Sequence, residues 1–313
     1  MTLINNFLKI FFLFISLVIF QGCKQESFAI ITNQGEDTIS IVDLQNLNII
    51  KTIQTNPGPL AVEILKNNLA IISNTKNESL QLIDLDSLKI IDTINLGFTP
   101  LGIVYVEGKD LLYISSWYEN KLYYYNTNTW ERDGVIPVGK TPSGIIYDKK
   151  RDQIIVSNRD ENLLTIIQDN KVIKTIEVGD HPFGVYLLED SVFSVNVYSN
   201  DVSKINLNTY DSSKFNVGDH PYNIISSDRY LFVTNTQDDS VSVINKDDFS
   251  ILKTLKTGEV PENLGIDLLN NQLIVTNWGS NSISIFNLDT LKLKKEIPTG
   301  RESRSFGNFI WAK

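Results

Sequence analysis

The chain has 313 residues, of which 42% are hydrophobic and 21% charged, and its 28 Lys and Arg against 37 Asp and Glu give a net charge of −9. This hydrophobic fraction is typical of a globular protein and excludes wholesale disorder, whereas the acidic balance argues against a phosphate-backbone partner. The single cysteine excludes a disulfide framework and any cysteine-based zinc cluster.

The first 22 residues have the pattern of a secretory signal peptide. Lys9 precedes an apolar run over residues 10–20, which is too short to span a bilayer because a span needs about 20 residues. A glycine and then Cys23 follow, as in a relaxed bacterial lipobox. We therefore predict a lipoprotein signal peptide at 1–22 and a lipidated Cys23 that begins a short tether at 23–27. An ordinary cleaved signal, with Cys23 removed or left as a free thiol, is the alternative.

No second apolar segment of spanning length follows. We expect the mature chain, with a net charge of −10 once residues 1–22 are removed, to be anchored to a membrane by its lipid. Lys24 stands where an aspartate retains some bacterial lipoproteins at the inner membrane. This favours the outer membrane of the cell envelope, on its periplasmic side or at the cell surface.

Residues 28–313 consist of a repeat with two anchors in each period. The first anchor is Gly-x-x-Pro, or a close variant, and its prolines are 41, 42, 40, 39 and 40 residues apart, at Pro59, Pro100, Pro142, Pro182, Pro221 and Pro261, with Ser303 in the same place of a further copy. The second anchor is in most copies a Ser or Thr followed by Asn, and it ends at Asn33, Asn74, Ser116, Asn158, Asn196, Asn235 and Asn277. Seven copies of one unit are therefore present.

Each unit contains four short β segments. In the second unit we predict them at Pro59–Leu65, Leu69–Ser73, Leu80–Leu85 and Ile90–Leu96, separated by turns rich in Asn, Asp, Ser and Gly. No segment has a sustained 3.6-residue apolar period, so helices should be nearly absent. Four strands in each of seven units predict an all-β fold, a seven-bladed β-propeller with four antiparallel strands per blade.

We interpret both anchors as determinants of the fold. Glycine can adopt a positive φ where the chain passes between blades, proline is tolerated as the first residue of a strand, and asparagine can cap a hairpin loop by bonding its own backbone. The mature chain enters at Phe28 in the second strand of a blade. We therefore expect the C-terminal strand, Ser303–Trp311, to complete this N-terminal blade and close the ring as one domain, 28–313.

The repeat resembles that of the YVTN-type β-propeller family. The copies that carry the resemblance are VGDHP at 178–182, FVTN at 232–235 and VSVIN at 241–245, and it extends over essentially all of 28–313. The resemblance implies an exported propeller. Its relatives include periplasmic proteins that bind single-stranded DNA, surface lipoproteins that capture corrinoids and lipoproteins discussed as adhesins, so it does not fix the ligand.

The candidate binding site is the face where the blade-to-blade turns meet the loops after the second strands. Both sets of loops surround one end of the central channel of a propeller, and aromatic side chains there suit stacking on a flat ligand or docking on a protein. The candidate residues are Trp117, Tyr118, Arg159, His181, Tyr198, His220, Trp278, Arg301 and Arg304. Trp117 and Trp278 equally suit shielding of the hairpins beneath them. Phe98 and Glu262 lie in the same turns.

The two histidines occupy equivalent positions in adjacent blades. Two imidazoles are too few for a stable metal site, so we assign no metal ligand and no cofactor to His181 and His220. No catalytic residue is assigned either, because no nucleophilic triad or carboxylate pair is recognisable. Trp130 stands where other units have Leu, Tyr or Phe, which indicates a packing residue.

The preferred hypothesis is a monomeric, lipid-anchored, non-enzymatic binding protein. Its loop face would bind a small molecule, such as a corrinoid-like planar compound, or an envelope or host protein. One alternative is a propeller enzyme of lactonase or lyase type that uses His181 or His220. Another is a single-stranded nucleic-acid binder that uses Arg159, Arg301 and Arg304, although the acidic net charge argues against it.

Overall fold

A computed structural model describes residues 25–313; the predicted signal peptide and Cys23 lie outside the described residues. This part of the chain forms seven blades of four antiparallel strands in a ring, one of which carries a short fifth strand, so the predicted seven-bladed β-propeller is confirmed. Helical structure within residues 25–313 is limited to two 3₁₀ turns, Glu107–Lys109 and Arg159–Glu161. Over the same range, no helix has the length and apolarity needed to cross a membrane.

The strands follow the repeat closely. In chain order they are β1 (Ser27–Asn33), β2 (Thr38–Asp43), β3 (Asn48–Gln54), β4 (Pro59–Leu65), β5 (Leu69–Asn74), β6 (Ser79–Asp84), β7 (Lys89–Asn95), β8 (Pro100–Val106), β9 (Leu111–Ser116), β10 (Lys121–Asn126), β11 (Arg132–Pro137), β12 (Pro142–Asp148), β13 (Gln153–Asn158), β14 (Leu163–Gln168), β15 (Lys171–Glu177), β16 (Pro182–Leu188), β17 (Ser191–Asn196), β18 (Asp201–Asn206), β19 (Ser212–Asn216), β20 (Pro221–Ser226), β21 (Tyr230–Asn235), β22 (Ser240–Asn245), β23 (Ile251–Lys256), β24 (Pro261–Asp267), β25 (Gln272–Asn277), β26 (Ser282–Asn287), β27 (Leu293–Pro298), β28 (Phe306–Gly307) and β29 (Ile310–Ala312). The four segments predicted in the second unit agree with β4 to β7 within one residue at each end. The hydrophobic core lies between neighbouring blades, where buried side chains of adjacent sheets pack together.

The asparagine anchor joins strands through its side chain. In the sixth unit Asn235 Nδ2 donates to the hydroxyls of Ser240 and Ser242, both at 3.0 Å, and its Oδ1 accepts from the Gly218 N–H at 3.1 Å. Equivalent buried amides occur at Asn33, Asn196 and Asn277. The prediction that the asparagine caps its own hairpin backbone was therefore wrong. Each of these amides links the second and third strands of its blade.

In most copies the glycine of the Gly-x-x-Pro anchor is required by close packing, whereas a Cβ at Gly97 would meet no atom within 4 Å. A Cβ at Gly218 would lie 2.5 Å from Asn235 Cγ, which no real contact allows. The predicted positive φ occurs at Gly97, with φ of 76°, whereas in the other copies it falls on the residue before the proline or its equivalent, with φ of 56° at His181 and 51° at His220. The two anchors of the sixth unit therefore form one contact: Gly218 leaves room for the Asn235 side chain, and the Asn235 Oδ1 accepts a hydrogen bond from the Gly218 N–H.

In several blades the Ser or Thr of the second anchor fastens the blade to the next one. Ser157 Oγ donates to the carbonyl oxygen of Phe183 at 2.6 Å, and Thr234 Oγ1 donates to that of Glu262 at 3.2 Å. In both cases the acceptor is the residue after the leading proline of the following blade. These hydroxyls satisfy carbonyl groups at the channel edge that no neighbouring strand would otherwise reach.

The ring is closed by the C-terminus, but less regularly than predicted. Strand β29 pairs with β1, from Ala29 with Ile310 to Ser27 with Ala312, and so completes the N-terminal blade. The predicted continuous strand over Ser303–Trp311 was wrong: after a single bridge between Ser303 and Asn33, the chain leaves the sheet and β28 pairs in parallel with β4. Ile310 is the seventh residue after Ser303, whereas the equivalent pairing in the fourth blade is reached five residues after the leading proline. Two extra residues therefore displace Phe306 into the channel.

Candidate binding site on the loop face

The blade-to-blade turns and the loops after the second strands lie together, as predicted. The Trp117 N–H donates to the carbonyl of Thr99 at 3.1 Å, and the Trp278 N–H donates to that of Val260 at 2.9 Å. Each second-strand loop is therefore hydrogen-bonded to the turn that precedes its blade, and the rigid ring fixes the positions of the side chains on this face.

Three aromatic rings close the channel beneath this face. Phe183 stacks on Tyr222 with ring centroids 4.1 Å apart, and Phe306 lies 5.4 Å from Phe183 and 5.7 Å from Tyr222. We call these three residues the aromatic layer. Immediately below it, Asn223 donates to Asn263, which donates to the carbonyl of Ser305. The layer and the amides separate the loop face from the channel.

Two tryptophan–arginine pairs lie above the aromatic layer. The Arg159 guanidinium is 5.6 Å from the Trp117 ring centroid, and the Arg304 guanidinium is 5.6 Å from that of Trp278. Arg159 is presented by the second 3₁₀ turn, whereas Arg304 follows Ser303 in the closing segment. Burial and Glu262 raise the pKa of Tyr222, while Arg304 and Arg159 oppose this rise. Both guanidinium groups therefore act on the same central phenol.

Glu262 is a buried acid at the centre of the site. Burial raises its pKa to about 7, although Arg304 counteracts this effect. Arg304 Nε lies 3.2 Å from Glu262 Oε2, which is an ion-pair distance, but the N–H does not point at the oxygen. The pair is consequently incomplete, with attraction between the charges and no hydrogen bond between these two atoms.

Several buried polar atoms at this face have no hydrogen-bond partner among the described residues. They are Glu262 Oε2, Arg304 Nε, Trp278 Nε1 and His181 Nδ1. A buried polar atom without a partner is costly, and such atoms are uncommon in folded proteins. Three of the four atoms belong to the contacting residues Trp278, Arg304 and Glu262, so the protein's own hydrogen bonds leave this part of the face incompletely satisfied.

The histidines form a second group beside this centre. His181 lies 4.0 Å from the ring of Tyr198, and its Nε2 is 3.9 Å from Asp160. His220 contacts the same tyrosine at 5.6 Å, and its Nδ1 is 2.8 Å from Asp219. Both imidazoles thus contact Tyr198. Across residues 25–313, no group of three or more His, Cys, Asp or Glu side chains is placed to hold a metal ion.

The remaining candidates lie at the rim or in the core. Tyr118 is 76% exposed and meets Trp117 edge-on, while Arg301 is exposed and lies 3.6 Å from Glu36. Phe98 is buried and stacks on a core tyrosine, so it does not belong to the loop face. Trp130 packs against the core, as predicted.

Sequence reasoning did not single out the central position of the repeat. The residue after each leading proline, or after Ser303 in the closing segment, varies in type around the ring: Leu60, Leu101, Ser143, Phe183, Tyr222, Glu262 and Arg304. Our candidates contained Arg304 from this set and noted Glu262, but they lacked Phe183 and Tyr222. Alignment of the repeats on the proline provides the missing signal, because this position is leucine or serine in three blades and aromatic or charged in the other four.

The chain matches no protein-family model and no curated protein sequence. Its structure is similar to that of a functionally unknown protein from Desulfotomaculum acetoxidans, with a TM-score of 0.78 and 14% identity over 91% of this chain and 98% of that chain. The structure is also similar to that of the dihydro-heme d1 dehydrogenase NirN in complex with DHE, with a TM-score of 0.68 and 12% identity over 91% of this chain and 74% of that chain. For hydrazine synthase of Kuenenia stuttgartiensis the TM-score is 0.70, with 15% identity over 80% of this chain and 89% of that chain. At these identities the likeness concerns the fold alone.

Proposed function

We propose that this protein is a lipid-anchored, non-enzymatic binding protein of the cell envelope, of YVTN type, whose loop face binds a planar, negatively charged small molecule. The observation that carries the proposal is the pair of tryptophan–arginine contacts on this face, whose two guanidinium groups both oppose the rise in the pKa of Tyr222. The anchor rests on the lipobox-like sequence that ends in Cys23.

The chemistry of the centre favours a flat anion. Indole rings offer a rigid apolar surface for stacking, and guanidinium groups bind carboxylate, sulfonate or phosphate groups through two parallel hydrogen bonds. Both arginines lie against an indole ring, which holds each guanidinium group beside an apolar stacking surface. An acid group of the ligand would thus lie against the arginines while its ring system covers the tryptophans.

The surroundings favour a small ligand over a nucleic-acid strand. Asp160, Asp219 and Asp238 lie in the loops around the basic centre, and Asp160 and Asp238 are exposed. A nucleic-acid strand would have to place successive phosphates against these carboxylates, which repel it. A small anion needs to contact only the two arginines, so it is not held against these carboxylates.

The first test uses a fluorescent probe of the proposed class. We expect the purified chain to bind 1-pyrenesulfonate more tightly than the neutral 1-pyrenemethanol. Arg159→Gln or Arg304→Gln should weaken binding of the sulfonate by about tenfold, since a charge-assisted hydrogen bond contributes roughly 1.5–3 kcal/mol. Arg301→Gln is the matched control, because Arg301 is exposed on the same face and outside the centre. Equal losses in all three variants would contradict the assigned centre.

The second test examines the anchor and the natural ligand together. Mass spectrometry of the protein from its native envelope should show a lipid on residue 23 and a retained small molecule. Cys23→Ser should move the protein from the membrane fraction to the soluble fraction while pyrenesulfonate binding is unchanged. An unmodified residue 23 would contradict the anchor and would leave the binding site to be judged by the probe.

A further inference from the structure

A separate cavity lies in the central channel below the aromatic layer. It measures about 430 Å³, and its wall consists mainly of apolar side chains from the first strands, among them Ile103, Ile145, Val185, Ile224, Leu264 and Phe309. Phe309 belongs to the closing segment rather than to a first strand, as do Gly307 and Asn308, which also line the cavity and are exposed, so the cavity reaches solvent. None of the nine loop-face candidates lines this cavity.

Glu63 is the one acidic or basic side chain among the described residues that line the cavity. It lies four residues after its leading proline, where other blades place Val104, Ile146 and Ile225. Its Oε2 accepts a long hydrogen bond of 3.4 Å from the Asn308 N–H, and it forms no ion pair with a Lys, Arg or His of the described chain. An acid therefore replaces an apolar residue at a position with no cationic partner among residues 25–313.

We propose that this cavity binds an apolar organic cation, with the ammonium group of the ligand against the Glu63 carboxylate and its hydrocarbon body against the isoleucine and valine side chains. A carboxylate in apolar surroundings is costly unless an opposite charge and hydrogen bonds accompany it. A primary ammonium supplies both. The volume suits a compact ligand of fragment to drug size. One carboxylate is too small a ligand set for a metal ion.

The state of Glu63 gives the binding reaction a second signature. Burial raises its pKa to about 8, so at pH 7 the unliganded carboxyl is mostly protonated. A bound ammonium favours the carboxylate, because an opposite charge nearby stabilises the ionised form. Binding therefore releases close to one proton from Glu63 to the buffer, and the ligand keeps its own.

The test compares three probes that share one apolar cage and differ in charge: 1-adamantanamine, 1-adamantanol and 1-adamantanecarboxylate. Each is titrated calorimetrically into the full chain in a mild detergent, and a titration into empty micelles is subtracted. We expect the amine to bind at least about tenfold more tightly than the other two. Its heat at pH 7 should differ between phosphate and Tris buffers by the amount expected for release of about one proton.

Glu63→Gln keeps the shape of the side chain and removes its charge. This variant should lose at least about tenfold in affinity for the amine and all of the buffer dependence, while the weak binding of adamantanol is unchanged. Arg159→Gln, on the loop face, should leave amine binding unaltered. Equal affinities for the three probes, undetectable amine binding, or an effect of Arg159→Gln equal to that of Glu63→Gln would overturn the proposal. If the Glu63→Gln variant does not fold, the probe comparison and the proton release in the unaltered chain decide.

Discussion

The regions above and below the aromatic layer use the same strands for opposite chemistry. Above it, the residues after the leading prolines and the loops bring Arg159, Arg304 and Glu262 together with two tryptophans. Below it, residues two to four positions further along the same strands form an apolar wall with Glu63 as its one acid or base among the described residues. The repeat fixes the backbone above and below the aromatic layer. Side chains at neighbouring positions of one strand can therefore differ in chemistry, and they form a basic aromatic centre above the layer and an apolar cavity with one acid below it.

The largest expected effect comes from removing the ring of Phe309, an aromatic residue of the C-terminal segment that lines the cavity. Phe309 is 1% exposed and packs on Gly265, where a Cβ would lie 2.5 Å from its ring. Phe309→Ala should cost roughly 3–5 kcal/mol of the free energy of unfolding, because a large apolar side chain is lost from a closed packing site. Urea unfolding measures this cost. Tyr118→Ala, at an exposed position, should change the free energy of unfolding by less than about 0.5 kcal/mol. A similar loss in both variants would contradict the statement that Phe309 is packed more closely than Tyr118.

The next prediction concerns pH and involves one acid from each region. Burial raises the pKa of Glu63 to about 8 and that of Glu262 to about 7. Each carboxyl therefore holds its proton more tightly in the folded than in the unfolded chain, so its contribution to stability is complete below pH 4.5 and is lost as the pH rises through about 7 and about 8.

Urea unfolding between pH 5 and 9 tests this dependence. For Glu262, which is 5% exposed, the loss is on the order of 3 kcal/mol. Glu262→Gln should remove the part of the slope centred near pH 7 and leave the part due to Glu63. A stability that rises with pH over this interval would show that neither carboxyl retains its proton in the folded state. Asp190 has the opposite behaviour, because Lys150 and Arg151 lower its pKa to about 2 and its contribution is lost only in strong acid.

The smallest expected effect concerns the hydroxyl that supports the upper region. Thr234 Oγ1 accepts from the Asn223 N–H at 3.0 Å and donates to the Glu262 carbonyl at 3.2 Å. Thr234→Val keeps the shape and removes both bonds, which should cost about 1–2 kcal/mol. The preceding blade already has Val195 at this place, so the ring tolerates the change. The same urea assay measures the loss, and an unchanged free energy of unfolding would show that the hydroxyl does not fasten the blades.

The repeat was sufficient to predict the fold, including the number of blades and the strand boundaries, because strand length and turn residues recur in each unit. The physical role of the anchors was less accessible. The contact between Gly218 and Asn235 joins residues 17 positions apart, and a sequence pattern shows their recurrence but not that they touch. The closing segment was mispredicted because its two extra residues have no counterpart in the other blades.

The candidate site was predictable in part for the same reason. Loop tips are recognisable as polar breaks in the pattern, so Trp117, Arg159 and Trp278 were identified. Tyr222 was missed because an aromatic residue at the start of a strand looks like an ordinary core residue. Glu63 was missed as well: an isolated acid in a strand is usually solvated, and only the curvature of the ring turns this one towards an enclosed space.

The pairing of β1 with β29 has a consequence for how the molecule is displayed. Glu26 and Lys313 exchange both of their backbone hydrogen bonds, at 3.0 and 2.7 Å, so these two residues lie side by side at the edge of the ring. They do so at the end of β1 opposite Asn33, which lies at the loop face. A support attached through the residues before Glu26 would therefore join the ring at the end of β1 away from the basic aromatic centre, and a load applied at Glu26 is borne by β1 and β29, the two strands that complete the ring.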